Sequence, residues 1–192
     1  MFSLNPSLQS YSWGSKTLIA DLRGEESPTQ HPQAELWYGA HPAAPADIAG
    51  VPLTDIIAAD PDRELGAAVR ARFGDRLPFL LKILAVAEPL SLQAHPSLAQ
   101  AQEGFRRENA QGIDVRAGNR NYRDDNHKPE LIVALTPFHA MAGFRPLAAT
   151  LELFAVLDCP SLARYVGMID STGEEAVNLR MLFTTWITIP AA

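Results

Sequence analysis

The sequence SLQAHP at residues 91–96 places three polar side chains at alternate positions along the chain. Alternate side chains of a β-strand project from the same face, because a strand repeats every two residues. Ser91, Gln93 and His95 are therefore predicted to share one face, while the leucine and alanine side chains between them lie on the other. The pattern predicts a strand with one polar face and one apolar face.

The sequence NHKPE at residues 126–130 repeats this arrangement directly before an apolar run, and a second strand is predicted over residues 130–136. If both strands face one cavity, the carboxamide of Gln93, the imidazole of His95 and the carboxylate of Glu130 converge there beside the ammonium of Lys128. Imidazole nitrogens and carboxylate oxygens are ordinary zinc ligands, and a carboxamide oxygen is a weaker one. The residues alone leave other interpretations open, namely a solvated strand face and an ion pair between Lys128 and Glu130.

Composition limits the class of protein. The chain has 192 residues, a net charge of -6 and one cysteine, Cys159. This length allows one domain, or one domain and part of another. A negative chain with scattered basic residues is a poor nucleic-acid surface, because phosphate contacts need clustered lysine and arginine. A single cysteine forms no intrachain disulfide, and no apolar run is long enough to span a bilayer, so we expect a cytoplasmic protein without a membrane partner.

Apolar patterns predict further elements around the two polar stretches. The run FLLKILAV at residues 79–86 suits a central strand covered on both faces, with Lys82 either snorkelling to an edge or pointing into the site. Ser97 and Gln100 form a capping-box pattern that begins an amphipathic helix after Pro96. The last predicted helix has an apolar stripe for which the sequence offers no later partner: Leu179, Leu182, Phe183 and Trp186.

Some other polar residues allow two interpretations each. Arg116, Arg120 and Arg123 lie in a polar loop at residues 112–125 and either reach a phosphate or are solvated, and solvation is the favoured interpretation. His41 is a candidate metal ligand, but a lone histidine before a proline is more often a surface or hydrogen-bonded residue.

Four segments together resemble a known family. They are YSWGSKTLIADL at 11–22, AELWYGAHP at 34–42, LPFLLKILAVAEPLSLQAHPS at 77–97 and NYRDDNHKPELIVALTPFHAMAGFRP at 121–146. In order and spacing they are similar to the type I mannose-6-phosphate isomerases, also called phosphomannose isomerases. The resemblance implies a mainly β fold with helices, in which a cupin-type, jelly-roll-like β-sandwich is followed by the start of an inserted α-helical domain.

The resemblance also implies a site and a reaction. In that family one zinc ion per subunit is held by a Gln, a His, a Glu and a second His, and Gln93, His95 and Glu130 match the first three. Ser91 and Lys128 match residues of the substrate pocket, with Lys128 also implied as catalytic. The implied reaction is an aldose-ketose isomerisation, with the sugar phosphates mannose 6-phosphate and fructose 6-phosphate as substrates.

The resemblance covers roughly the first half of a family member. We therefore expect an incomplete cupin-like zinc-site domain at residues 1–145 and the beginning of a helical domain at residues 146–192. The family's second zinc His and its catalytic Arg are expected to be missing, so this chain alone should have impaired activity. Unpaired sheet edges should favour self-association.

Two other functional classes remain open. One is a non-catalytic cupin-like module that binds a sugar phosphate or a metal and is completed by another chain. The other is a cupin oxygenase, which usually needs two His and a carboxylate, so the carboxamide of Gln93 disfavours it.

Overall fold

A computed structural model describes residues 3–170 and 172–189 of the chain. The chain forms two compact units, one that ends at Lys128 and one that begins at Pro129. Helices and small sheets are both present. None of the helices in the described ranges is long and apolar enough to cross a membrane.

The larger sheet of the first unit has three antiparallel strands: β1 at Ser7–Gln9, β2 at Glu35–Tyr38 and β5 at Leu81–Leu84. Their order in the sheet is β1-β2-β5. Leu36 pairs with Ile83 across β2 and β5. Because strand side chains alternate, the next pair along, Trp37 with Lys82, lies on the opposite face.

The core of the first unit lies on the Leu36 side of this sheet. Leu36 is buried together with Ala85 and with Ile19 of helix α1 (Leu18–Arg23), and Tyr38 and Ile83 pack against them. Strand β5 confirms the strand predicted within residues 79–86. It lies at the edge of the observed sheet and Leu81 is 61% exposed, so the prediction that both faces are covered is wrong.

The rest of the first unit contains a short hairpin and three helices. The hairpin pairs β3 (Asp47–Ile48) with β4 (Val51–Pro52). The helices are α2 at Leu53–Ala59, α3 at Pro61–Phe73 and α4 at Leu98–Ala110. Helix α4 begins with the predicted capping box, in which the Ser97 hydroxyl accepts from the Gln100 amide and the Gln100 side chain accepts from the Ser97 amide. That prediction is confirmed.

The two strands predicted from the polar stretches are absent. Residues 91–95 and residues 130–136 form no strand. Leu92 is 73% exposed and Leu131 is 90% exposed, so the predicted apolar faces are not buried. Alternation indicates which side chains would share a face, but a strand forms only where a neighbouring strand bonds to its backbone. The strand predictions for both stretches are therefore wrong.

The second unit is helical beyond residue 146. It contains α5 (Leu147–Leu157), a 3-10 turn at Pro160–Leu162, α6 (Ala163–Val166) and α7 (Glu175–Ile187). Its core is formed by one aromatic or aliphatic side chain from each of α5, α6 and α7: Phe154, Tyr165 and Leu182.

The apolar stripe of α7 has partners within the second unit. The Trp186 ring packs edge-on against Phe154 at 5.7 Å and against Tyr165 at 5.9 Å between ring centroids. Both partners come from helices earlier in the chain, so the stripe is covered without a later segment.

Candidate metal and substrate site

His95 and Lys128, one from each polar stretch, are in direct contact. Nδ1 of His95 lies 2.7 Å from the backbone carbonyl oxygen of Lys128. A carbonyl oxygen can only accept, so Nδ1 carries the proton and a neutral ring then has its lone pair on Nε2. Proteins commonly orient metal-binding imidazoles by hydrogen bonding the other ring nitrogen to a backbone carbonyl. The contact is therefore compatible with Nε2 of His95 as a metal ligand.

Helix α4 and the loop after it bring these two residues together. The helix begins immediately after His95 and Pro96, and its 13 residues extend for about 20 Å. Near its far end the buried carboxylate of Glu108 accepts hydrogen bonds from the backbone amides of Asn121 and Tyr122 at 3.1 and 2.9 Å. These bonds hold the loop against the helix. The chain therefore runs back along α4 toward His95 before it reaches Lys128.

Arg120 is buried beside Glu108 and strengthens this attachment. Its guanidinium is fully buried, with Nε 3.0 Å from Glu108 Oε2, and it donates to the Tyr122 carbonyl at 2.5 Å and to the Ile113 carbonyl at 2.7 Å. Buried charges are tolerated when they are paired and hydrogen-bonded in this way. The expectation that Arg120 is solvated is therefore wrong.

The environment of Glu108 favours its charged form. The hydrogen bond from the Tyr122 amide lowers the pKa of Glu108, and further bonds from Asn121 and the charge of Arg120 act in the same direction. Together they outweigh desolvation, which raises that pKa. The ionised carboxylate is the form that can accept all of these bonds.

Asp124 holds the ammonium group of Lys128. Its Oδ2 lies 2.7 Å from Lys128 Nζ, and its Oδ1 accepts from the Asn126 amide at 3.0 Å. Burial raises the pKa of Asp124, but the two hydrogen bonds and the charge of Lys128 outweigh burial, so this pKa lies below its ordinary value. Lys128 is thus held at its carbonyl by His95 and at its ammonium by Asp124. Sequence reasoning missed Asp124, although it lies in a polar loop where aspartates often accept from the backbone amide two residues on.

A second polar cluster covers the sheet face opposite the core. Trp37 Nε1 donates to Glu35 Oε2 at 2.6 Å, and Lys82 Nζ lies 3.7 Å from the same oxygen. Lys82 also lies 4.6 Å from the centre of the Trp37 ring, which is the cation-π distance range. Lys82 is therefore placed on the polar face of the sheet, in contact with Glu35 and Trp37.

His41 packs against this cluster. Its ring packs edge-on against Trp37 at 4.9 Å, and its Nδ1 accepts from the Ala43 amide at 3.2 Å, which confirms the favoured interpretation of a hydrogen-bonded histidine. Burial lowers the pKa of His41, and three charged neighbours also act on it. Lys82 and Lys128 lower the pKa of His41, and Asp124 raises it.

The other predicted site residues are exposed. Ser91 and Gln93 lie between β5 and α4, and Glu130 lies near the start of the second unit. Among residues 3–170 and 172–189, no three His, Cys, Asp or Glu side chains are grouped so that they could hold a metal ion. The predicted set contains a glutamine in place of one such residue, so this finding does not test it. The metal roles of Gln93, His95 and Glu130 and the substrate roles of Ser91 and Lys128 stay predictions.

Comparison with known proteins gives one family. Residues 1–147 match the family model described as "Phosphomannose isomerase type I, catalytic domain". The mannose-6-phosphate isomerase of Escherichia coli (strain K12) is 49% identical over 158 residues, which are 80% of this chain and 40% of the relative. That of Homo sapiens is 38% identical over 160 residues, which are 77% of this chain and 35% of the relative.

Solved structures of phosphomannose isomerase from Salmonella typhimurium are also similar. A mutant form has a TM-score of 0.86 and 41% identity, and the match covers 100% of this chain and 49% of that one. The mannose 6-phosphate isomerase from the same organism bound to substrate (F6P) and zinc has a TM-score of 0.74 and 39% identity, covering 100% and 54%. The chain spans about 40% of the length of the curated relatives it matches.

Proposed function

Because this chain belongs to the type I phosphomannose isomerase family, we propose that it forms the zinc-binding part of an enzyme that interconverts mannose 6-phosphate and fructose 6-phosphate. The observation that carries the proposal is the 2.7 Å contact between His95 Nδ1 and the Lys128 carbonyl, because it joins the two polar stretches that the resemblance assigns to the site. The names of the relatives, and the similar structure bound to F6P and zinc, support the substrate and the metal.

Gln93, His95 and Glu130 would hold one Zn²⁺ per subunit, with His95 binding through Nε2. An imidazole, a carboxylate and a carboxamide form a donor set that zinc accepts. Zinc held by these residues would supply a Lewis acid, which can stabilise the negative charge that develops on sugar oxygens in an aldose-ketose isomerisation. A neutral carboxamide in place of a second carboxylate leaves more positive charge at the site, which favours polarisation of a substrate oxygen.

Lys128 would contact the sugar phosphate or assist proton transfer, and Ser91 would contact the polar groups of the substrate. The chain has a net charge of -6, so attraction for an anionic substrate must come from individual cations near the site. Lys82 and Lys128 both lower the pKa of His41 electrostatically. Two cations that act on one histidine support a role of this region in binding the anionic sugar phosphate.

Family membership also supports the finer description of the fold. Residues 1–145 would form the cupin-type, jelly-roll-like portion of a β-sandwich, and residues 146–192 would begin the helical domain. The antiparallel sheet β1-β2-β5 would belong to the sandwich. Helices α5 to α7 would belong to the helical domain.

Zinc binding and turnover test the proposed function separately. Zn²⁺ affinity is measured by competition with a chromophoric chelator, and turnover of mannose 6-phosphate by a coupled assay of fructose 6-phosphate. We expect His95→Ala to lower Zn²⁺ affinity by more than the roughly 10- to 100-fold typical of losing an outer hydrogen-bond partner, because it removes a ligand. Turnover should be lost with the metal.

The matched control is His31→Ala, which removes an exposed imidazole from a different loop. It should leave Zn²⁺ affinity and turnover unchanged. Unchanged Zn²⁺ affinity in His95→Ala would contradict the proposed metal site. A compact monomer by light scattering would count against the alternative of a non-catalytic binding module completed by another chain.

The expected low activity of the 192-residue chain by itself is also open to measurement. Three protein ligands and water are a legitimate set for catalytic zinc, so the three ligands proposed in this chain would be enough to bind the metal. Orientation of the substrate contributes much of the rate in such reactions, and it depends on every wall of the pocket. Turnover by this chain equal to that of the E. coli relative would contradict the expectation.

A further inference from the structure

We propose that Asp124 is a positioning residue for Lys128, whose carboxylate determines where the Lys128 ammonium meets the sugar phosphate. The inference rests on the proposed function, because it concerns the substrate side of the same site. Asp124 would act through Lys128 and would not itself touch the substrate.

Both carboxylate oxygens of Asp124 have partners that fix its orientation. Oδ1 accepts from the Asn126 amide at 3.0 Å, which sets the rotation of the carboxylate, and Oδ2 then lies 2.7 Å from Lys128 Nζ. The Lys128 side chain is 57% exposed. A long exposed lysine has several rotatable bonds and is free to sample many positions unless a partner holds its end. The pair therefore selects one position of the ammonium.

The contribution of this pair to folding should be small. Both side chains are about half exposed, at 57% and 47%, and exposed ion pairs add little to stability because water screens them. A pair that is nearly neutral for folding can still matter for catalysis, since a displacement of about 1 Å can cost about 100-fold in rate. The effect of Asp124 is therefore expected in turnover and not in stability.

The backbone on either side of the pair is held by other residues. Glu108 accepts from the amides of Asn121 and Tyr122, just before Asp124, and His95 bonds the carbonyl of Lys128 itself. Substitution of Asp124 should therefore leave the Lys128 backbone in place and release only its ammonium. Substitution of Asp124 therefore tests the position of the ammonium without disturbing the backbone.

A double-mutant cycle tests the proposal in the full zinc-loaded chain. Asp124→Ala should lower kcat/KM for mannose 6-phosphate by about 10- to 100-fold, and Asp124→Asn, which keeps an acceptor oxygen, should recover part of the loss. In a Lys128→Ala background, Asp124→Ala should cost less than about twofold more, because residues that act as one unit are not additive. Additive losses would overturn the proposal.

A control variant and an NMR comparison test the same pair in other ways. Asp125→Ala, at the exposed neighbouring aspartate, should leave kcat/KM unchanged. Side-chain nitrogen relaxation by NMR should show the Lys128 ammonium more ordered than that of exposed Lys16, and Asp124→Ala should remove the difference. If turnover of the unsubstituted chain is too low to measure, the NMR comparison decides this inference, and Zn²⁺ affinity tests the proposed function separately. Equal mobility of Lys16 and Lys128 would overturn it.

Discussion

One histidine, His41, packs against Trp37 and is acted on by several charged side chains. Glu35 accepts from the Trp37 indole and lies near Lys82, while Asp124 holds Lys128 on the loop side. Desolvation lowers the pKa of His41, and both lysines act in the same direction. A neutral imidazole suits this place, because a proton on it would be partly buried and close to two cations.

We expect His41 to titrate below its ordinary pKa of 6.5. Burial and the charges of Lys82 and Lys128 disfavour the imidazolium and outweigh Asp124. The unfolded chain has the higher pKa and takes up the proton first as the pH falls. The stability that neutral His41 contributes is therefore complete above 6.5 and is lost as the pH falls through the lower folded pKa.

An NMR titration of the imidazole signals measures the pKa of His41, and urea unfolding over the same pH range measures the loss of stability. Lys82→Met should raise the pKa of His41, since it removes one of the two repelling charges. A folded-state value at or above 6.5 would contradict this prediction.

Among the elements of the first unit, α4 decides where the polar stretches meet. Its capping box lies next to His95, and its Glu108 end binds the loop that returns to Lys128. The loop also packs closely against the middle of α4. A Cβ added at Gly104 would lie 2.5 Å from ring atoms of Tyr122, so a side chain there has no space. The absence of a side chain at this helical position allows the loop to lie against α4.

We therefore expect Gly104→Ala to destabilise the protein. Overpacking of a close contact costs about 1–3 kcal/mol, which exceeds the gain of about 1 kcal/mol from replacing glycine within a helix. The Tyr122 ring has little room to yield, because the backbone amide and carbonyl of Tyr122 are bonded to Glu108 and Arg120. Urea denaturation should show a lower unfolding midpoint.

The control for this substitution is Gly118→Ala, in the same loop. A Cβ at Gly118 would meet nothing within 4 Å. This variant should keep the stability of the unsubstituted chain or gain a little, since alanine restricts the unfolded state more than glycine does. Equal midpoints for Gly104→Ala and the unsubstituted chain would refute the close contact.

At the scale of the whole molecule, the second unit begins with an exposed apolar segment, LIVAL, at residues 131–135. Leu131 is 90% exposed, Val133 74% and Leu135 76%, and Met141 beyond them is 91% exposed. Contiguous apolar surface of this kind marks interaction sites or aggregation-prone segments. The helical core around Phe154 lies elsewhere in this unit, so these side chains add little to its stability.

We expect the isolated chain to self-associate through this segment. Replacing Leu131 and Val133 together by threonine should reduce association as measured by light scattering, because it removes apolar surface that water hydrates poorly. The free energy of unfolding should change by no more than about 0.5 kcal/mol per site. Leu22→Thr, at an exposed leucine of α1, is the control and should leave association unchanged. Association that persists in the double variant would contradict the prediction.

The sequence alone predicted the features of this protein that depend on residue types or on residues close together in the chain. The four matching segments identified the family, and a contiguous motif placed the capping box at Ser97. The run at residues 79–86 indicated β5, since a short apolar run bounded by turn residues is typical of a strand. These features need no knowledge of which distant segments pack together.

Tertiary structure decided what depends on distant partners. The bond from His95 to Lys128 joins residues 33 positions apart, and the burial of Arg120 depends on Glu108 from a preceding helix. The strands predicted at residues 91–95 and 130–136 did not form, although alternation in the first and a short apolar run in the second both suit a strand. Periodicity follows from bonds along the chain, but burial and strand pairing follow from contacts between segments, which local sequence does not specify.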